Sequence, residues 1–331
     1  MKPLFRRLIT IPMYFGLLVL GVVTLPLTVP LCAVLDAVRG TPLALTRTIL
    51  FFTWYLAFEC AGILASGALW VWQRIAKPSR EAWLNANFRL KCWWTQMLVN
   101  GARHCFGLRF EIEGLDELPP GPYLLFMRHA SVADTILPSA LVSAKHGIDF
   151  RHVIKRELLW DPCLDLCGNR LPNYFVDRSG ADSAREIAGI QRLAEDLGPR
   201  DGVAIFPEGT RFTEAKKTRI LEKLEASGDR DLYERTRALT HVLPPRLGGA
   251  IGLLEAAEGV DALFCAHVGF DGIQSFRRFL GGGLVNRTVV LTFWIVPGAD
   301  VPRDRDARIE WLFGQWQRVD DWIDQRGKVE S

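Results

Sequence analysis

Two long apolar stretches dominate the first quarter of the chain. Leu8–Leu35 contains no charged residue, and Thr48–Gln73 is interrupted only by Glu59. At about 1.5 Å of rise per helical residue, each stretch is long enough as a helix to cross a hydrocarbon core of about 30 Å. The pattern predicts an apolar helical hairpin, at or in the membrane, over residues 1–80.

The sequence leaves open how this hairpin meets a bilayer. Pro12, Pro26 and Pro30 are expected to kink or break the first helix, and together with Glu59 they sit poorly in two full spans. A monotopic hairpin in one leaflet and two buried core helices of a soluble fold are the alternatives. The loop between the two stretches holds only Arg39 and Arg47 as positive residues, and more positive residues flank the two stretches on their outer ends. This distribution predicts that both ends of the hairpin face the cytoplasm.

The chain then changes to short apolar runs that alternate with helical stretches. An amphipathic helix is expected over Glu81–Gly107 and a first strand over Leu108–Glu113. The further strands are predicted at Tyr123–Met127, Asp149–Lys155, Asn173–Val176, Val203–Phe206, Ala262–Val268 and Thr288–Val296. Helices are predicted at Ile136–Ala144, Ser183–Leu197, Ala250–Glu258 and Arg305–Ile323. This alternation predicts an α/β domain over residues 81–331, with a mostly parallel sheet flanked by helices.

Composition narrows the function classes. Hydrophobic residues make up 49% of the chain and the mean hydropathy is +0.11, so part of the protein is expected to meet lipid. The net charge of +3 implies no nucleic-acid partner. The seven cysteines are scattered without a paired C-x-x-C, which favours a reducing compartment over a disulfide framework and predicts no metal site.

Candidate chemistry begins where the apolar run Tyr123–Met127 ends. His129 lies just past this run, and Asp134 follows it by five residues at the start of a predicted helix. A carboxylate in that position can hold the imidazole in one tautomer and stabilise its protonated form. His129 is therefore a candidate general base. The alternative is that His129 merely ends a strand and Asp134 caps a helix.

A second candidate segment, Pro207–Arg211, follows the apolar run Val203–Phe206. Gly209 permits a sharp turn and a close approach of the backbone to a ligand. Thr210 supplies a hydroxyl, and the planar guanidinium of Arg211 suits a phosphate.

Together these segments resemble the glycerolipid acyltransferase family, typified by 1-acyl-glycerol-3-phosphate acyltransferases. The resemblance rests on H-x4-D followed, about eighty residues later, by F-P-E-G-T-R, and it covers roughly Leu108–Leu254. Tyr174–Arg178 resembles the intermediate motif of the family, and His241–Arg246 resembles its fourth block, a short strand ending in proline. The charged, helical linker that follows Arg211 is similar to the branch containing lysophospholipid and lysocardiolipin acyltransferases. Arg128 departs from the family, in which Asn is common at that position.

The resemblance implies a membrane-bound enzyme that moves a fatty acyl group from a thioester to a lysophospholipid hydroxyl, as in 1-acyl-glycerol-3-phosphate. The co-substrate donor would be acyl-CoA or an acyl-carrier protein, and no other cofactor is expected. His129 would be the base and Asp134 its partner. Gly209 and Thr210 would contribute to substrate binding, and Glu208 would orient Arg211 or bind an acceptor hydroxyl. The acceptor phosphate would be held by Arg211, Arg178 and Lys155.

Three expectations complete the prediction. The protein would lie at the inner or cytoplasmic membrane, with the catalytic domain facing the cytoplasm. A hydrolase that activates water with the same His/Asp pair is an alternative from another class. A non-catalytic membrane scaffold is a third.

Overall fold

Three long helices begin the chain in this computed structural model, which describes residues 3–177, 183–270 and 276–329. They are α1 (Pro3–Arg39), α2 (Ala44–Ala76) and α3 (Arg80–Phe106). The prolines do not break α1, so that part of the prediction is wrong. A proline removes one backbone hydrogen bond, and the turns on either side continue the helix. Both α1 and α2 are long and apolar enough to cross a membrane by length and composition.

The turn between α1 and α2 is built around Asp36. Its carboxylate accepts hydrogen bonds from the Thr41 hydroxyl at 2.7 Å and from the backbone N–H groups of Leu45 and Thr46 at 3.0 and 2.9 Å. These bonds satisfy donors that the first turn of α2 would otherwise leave unpaired. Helix α1 packs against α2 to form the hairpin, and α2 packs against α3.

The described residues that follow α3 contain a seven-stranded sheet. Its strands are β1 (Arg109–Glu113), β2 (Tyr123–Met127), β3 (Asp149–Lys155), β4 (Tyr174–Val176), β5 (Asp201–Ile205), β6 (Asp261–Val268) and β7 (Thr288–Val296). The order is β1-β7-β6-β2-β5-β3-β4, and every neighbouring pair is parallel except β6 and β7. The predicted α/β fold with a mostly parallel, helix-flanked sheet is confirmed.

Helices cover both faces of this sheet. Besides α3, the helices of this part of the chain are α4 (Ala144–His146), α5 (Pro162–Gly168), α6 (Ser183–Gln191), α7 (Glu214–Ser227), α8 (Arg230–Ala238), α9 (Leu247–Ala256), α10 (Phe276–Leu280) and α11 (Arg305–Val329). Strand β2 lies at the centre of the sheet and is entirely buried. Leu124 and Phe126 pack into the core on the side of α9 and α11, and Leu125 and Met127 pack into the core on the side of α3. The residues that follow β2 are thus held on a rigid, central element.

Two local predictions need correction. The region Ile136–Ala144 is helical but irregular, because Pro138 has no N–H to donate; a 3-10 turn and a π turn, Pro138–Ser143, precede α4. His241–Arg246 is an irregular loop rather than a strand. Its two prolines cannot donate to a sheet. The N–H groups of His241 and Val242 bond to the Asp320 carboxylate, and the N–H of Leu243 bonds to that of Glu208.

Candidate active site

His129 and Asp134 form a contact at the carboxyl edge of β2. His129 Nδ1 lies 3.2 Å from Asp134 Oδ2, and the His129 side chain is 15% exposed. Its ring packs against Phe206, which follows β5, with ring centroids 4.6 Å apart. The Nδ1 atom faces the carboxylate, so Nε2 is the nitrogen left to meet a substrate. The structure thus brings the two predicted residues together in the geometry of an oriented base.

The Asp134 carboxylate is buried and saturated with donors. Oδ2 also accepts from the backbone N–H groups of Ala130 and Ser131 at 2.6 and 2.7 Å, and Oδ1 accepts from the Ser131 hydroxyl at 2.7 Å. Burial alone would raise the pKa of Asp134, but His267, His129 and these hydrogen bonds outweigh it and leave the pKa below its usual value. The carboxylate therefore stays ionised beside His129 and favours the imidazolium that forms on proton transfer.

Glu208, in the Pro207–Arg211 segment, is hydrogen-bonded to the backbone of His129. One oxygen accepts from the backbone N–H of His129 at 2.6 Å, and the other accepts from that of Leu243 at 2.9 Å. Burial raises the pKa of Glu208 to about 8, although both N–H donors and the Arg128 guanidinium act in the opposite direction. The carboxyl group is fully buried and makes no contact with Arg211 among the described residues. The structure therefore does not place Glu208 where the predicted acceptor contact, or the predicted bond to Arg211, could form.

The segment after Glu208 turns outward to solvent. Gly209 has φ +68°, and a side chain at that position would meet the Arg246 side chain at 2.6 Å. Thr210 accepts a hydrogen bond from Lys216 Nζ at 2.8 Å, and the same ammonium group donates to the Arg211 carbonyl at 2.8 Å. The Arg211 side chain is exposed, and no ion pair or hydrogen bond holds its guanidinium within residues 3–177, 183–270 and 276–329. An exposed, unengaged guanidinium at this edge can receive an anion.

Of the other two predicted phosphate ligands, only Lys155 lies within the described residues. Lys155 lies at the end of β3, where its exposed side chain pairs with Glu157 at 3.1 Å. Arg178 lies outside the described residues.

Sequence reasoning missed two residues beside the motifs. His267, near the end of β6, lies 3.5 Å from Asp134 through its Nε2 atom. Arg246 donates its backbone N–H to the Pro207 carbonyl at 2.8 Å, and its exposed side chain crosses Gly209. A polar residue near the end of a buried strand was the available signal for His267. Only the strand order, which places β6 beside β2, turns that signal into a contact.

The fold and this site define an acyltransferase domain. Residues 109–252 match the Acyltransferase family model. A 1-acyl-sn-glycerol-3-phosphate acyltransferase of Pseudomonas aeruginosa is 30% identical over 123 residues, which is 36% of this chain and 44% of that protein. A lyso-ornithine lipid O-acyltransferase of the same organism is 32% identical over 152 residues, covering 45% of this chain and 53% of that protein. The matched segments thus span about half the length of these relatives.

The fold extends further than the sequence matches. The crystal structure of the 1-acyl-sn-glycerophosphate (LPA) acyltransferase PlsC from Thermotoga maritima aligns with a TM-score of 0.55 and 13% identity, covering 84% of this chain and 97% of that one. This likeness concerns the fold alone. The family match and the two relatives show that residues 109–252 are similar to the Acyltransferase family and to acyltransferases that act on lysolipids.

Proposed function

We propose that this protein transfers a fatty acyl group from a thioester donor to a lysolipid hydroxyl at a membrane surface. The observation that carries the proposal is the joining of His129 and Asp134 to the Pro207–Arg211 segment at one edge of the sheet through Glu208. The donor would be acyl-CoA or an acyl-carrier protein.

The chemistry uses His129 as the base. A hydroxyl is a weak nucleophile near neutral pH, so Nε2 removes the acceptor proton as the oxygen attacks the thioester carbonyl. Asp134 stabilises the resulting imidazolium through Nδ1. The tetrahedral intermediate collapses to an ester and expels the thiolate, which takes the proton back from His129. No acyl-enzyme intermediate is required.

The acceptor is a narrower proposal. Arg211 is suited to an acidic head group, and a 1-acyl-glycerol-3-phosphate would place its phosphate against the guanidinium. One of the two Pseudomonas relatives is named for such a phosphate-bearing acceptor and the other for lyso-ornithine lipid. We propose the phosphate-bearing lysophospholipid, because a bidentate guanidinium matches phosphate geometry, and the lyso-ornithine lipid is the comparison substrate.

The hairpin over residues 1–80 would hold the catalytic domain on the membrane without crossing it. On α2, Arg47 donates to the Cys105 carbonyl and the Ser66 carbonyl accepts from Arg170, so contacts to the domain span about 30 Å at ~1.5 Å per residue. That length equals the thickness of a hydrocarbon core. If α2 crossed the bilayer, the charged domain in contact with it would also have to enter the hydrocarbon core. These contacts support a monotopic hairpin.

The face turned away from the domain is apolar. Helix α1 exposes large apolar side chains along its length, among them Val19, Val23, Leu27 and Leu31. Such a surface is favourable only against lipid or another apolar partner. We propose that α1 lies in the cytoplasmic leaflet of the inner or cytoplasmic membrane, with the catalytic domain in the cytoplasm, as the charge distribution predicts.

The test is a transfer assay on the full chain in vesicles. Acyl-CoA and acyl-carrier protein donors are offered with lysophosphatidic acid, lyso-ornithine lipid or no acceptor. We expect ester formation with lysophosphatidic acid and a loss of about 10²- to 10⁴-fold in His129→Ala, the usual contribution of a general base. His104→Ala, at an exposed helix-end histidine, is the matched control and should stay active.

Two outcomes would contradict the proposal. Thioester consumption at the same rate with and without an acceptor, and no ester product, would indicate a hydrolase. Full transfer activity in a folded His129→Ala protein would refute the role of the base.

A further inference from the structure

A second imidazole reaches the carboxylate that partners the base. His267 Nε2 lies 3.5 Å from Asp134 Oδ1, and His129 Nδ1 lies 3.2 Å from Oδ2. Both His267 and Asp134 are completely buried. Asp134 therefore lies between two histidines, of which only His129 is exposed enough to meet a substrate.

The contacts of His267 fix its tautomer. Besides Asp134 Oδ1, the Nε2 atom faces the Arg128 carbonyl oxygen at 3.3 Å. Both neighbours are acceptors, so Nε2 carries the hydrogen and donates. Nδ1 is buried and has no hydrogen-bond partner within the described part of the chain. Burial lowers the pKa of His267, although the neighbouring Asp134 carboxylate acts in the opposite direction.

Arg128 holds His267 in this position. Its guanidinium donates to the His267 carbonyl through Nη1 and to the His241 carbonyl at 3.2 Å through Nη2, and its backbone N–H donates to the Cys265 carbonyl at 3.1 Å. The ends of β2 and β6 are thus joined by reciprocal bonds between Arg128 and His267. Arg128 is also the residue at which the H-x4-D segment departs from the common pattern of the family.

We propose that His267 is a positioning residue that holds the Asp134 carboxylate opposite His129 and thereby sets the pH at which His129 becomes an effective base. The inference rests on the proposed acyl transfer and deepens it. The Nε2–H group of His267, 3.5 Å from Oδ1, draws electron density from the carboxylate, which weakens the pull of Asp134 on the His129 proton. Without that donor, His129 holds its proton more tightly and becomes a free base only at higher pH.

Among the described residues, Asp134, Arg128 and His129 face His267, and Cys265 on the same strand faces Asp134. Glu208 accepts the backbone N–H of His129. The Phe270 ring packs edge-on at a centroid distance of 5.6 Å. The donor to Oδ1 is therefore the feature that a substitution at this position changes most directly.

Three variants separate this role from simple packing. His267→Leu removes the donor, His267→Gln places an N–H near the position of Nε2, and His267→Asn places one near the position of Nδ1. We expect His267→Leu to move the acid limb of the kcat/KM profile upward by about half a pH unit or more, because the variant removes the polar N–H group beside the charged carboxylate. His267→Gln should restore the wild-type limb and His267→Asn should not. The KM for the acceptor should stay the same in all three.

A second measurement needs no turnover. The His129 ring is titrated by NMR in full-length protein labelled with ¹³C-histidine, with the His129 signal assigned from its absence in His129→Ala. A raised His129 pKa in His267→Leu, or in His267→Asn if the leucine variant does not fold, supports the proposal even in a protein that lacks transfer activity. An unchanged His129 pKa in folded His267→Leu or His267→Asn would overturn it, as would equal behaviour of the Gln and Asn variants. A failure of the proposed function would instead appear as absent transfer in wild-type protein.

Discussion

Glu208 is hydrogen-bonded to the backbone of the candidate base. Its Oε1 atom accepts the His129 N–H at 2.6 Å, across 79 positions of sequence, and its Oε2 atom accepts the Leu243 N–H at 2.9 Å. The acid of the F-P-E-G-T-R motif therefore joins three loops at one edge of the sheet. Both of its carboxyl oxygens are engaged by backbone N–H groups, one of them that of His129.

Glu208→Gln should lower both stability and turnover. An amide has only one accepting oxygen, so its NH₂ group would face one of the two backbone N–H donors. An unsatisfied buried group of this kind costs about 1–3 kcal/mol. We expect that loss in urea unfolding and a reduced kcat with a nearly unchanged KM. Glu222→Gln, on the exposed surface of α7, is the control; equal stability of the two variants would contradict the bracing role.

The same carboxyl should make stability depend on pH. Burial raises the pKa of Glu208 in the folded protein from its ordinary value of 4.5 to about 8. Between these values the folded chain keeps a proton that the unfolded chain releases, so the stability contributed by Glu208 is full at low pH and is lost as the pH rises. The limiting slope for one proton is about 1.4 kcal/mol per pH unit.

The comparison with Glu208→Gln isolates this dependence. The free energy of unfolding of wild-type protein minus that of Glu208→Gln should decrease between about pH 5 and pH 8, because the amide does not titrate. Urea unfolding of both proteins across that range provides the measurement. A difference that is constant with pH would mean that Glu208 keeps an ordinary pKa.

Arg211→Lys should impair the acceptor selectively. Lysine keeps the charge but loses the planar fork that binds a phosphate at two points. A charge-assisted hydrogen bond contributes about 1.5–3 kcal/mol, so kcat/KM for a phosphate-bearing acceptor should fall roughly ten- to a hundredfold. The KM for the acyl donor should change little, and Arg219→Lys on exposed α7 should behave as wild type. A defect confined to the donor would assign Arg211 to the donor instead.

Gly209→Ala should disturb the segment that presents Arg211. At φ +68°, an alanine pays a left-handed backbone penalty of about 1–2 kcal/mol. Its methyl group would also meet the Arg246 side chain 2.6 Å away. We expect a loss of that size in thermal unfolding together with reduced kcat/KM. Gly228→Ala, at φ +75° with open space around it, has the same backbone penalty and should leave kinetics intact.

The exposed face of α1 should govern membrane binding. Val23 is 70% exposed and Leu27 is 77% exposed, so Val23→Glu with Leu27→Glu places charge where lipid contact is proposed without disturbing the core. Flotation with vesicles should show a marked loss of bound protein. Ala226→Glu on α7, exposed and remote from the hairpin, is the control. Unchanged flotation of the double variant would place the membrane contact elsewhere.

Local pattern was enough to predict the architecture. The long stretch without charged residues predicted α1, and short apolar runs predicted strands such as β2 and β7. Such predictions succeed because a buried helix face or strand requires apolar residues in a recognisable local pattern. The motif residues His129 and Asp134 were found in the same way, since only five positions separate them and a single turn joins them.

What only the tertiary structure decided are the contacts between residues distant in sequence. The sequence does not show that β6 lies beside β2, so the contact between His267 and Asp134 could not be predicted. The backbone N–H groups that bond to Glu208 could not be identified either. The loop His241–Arg246 resembled a strand, yet the N–H groups of its first three residues bond to the carboxylates of Asp320 and Glu208. The chain topology brings these groups together. Contacts between residues so far apart in sequence leave no local periodic pattern from which they could be predicted.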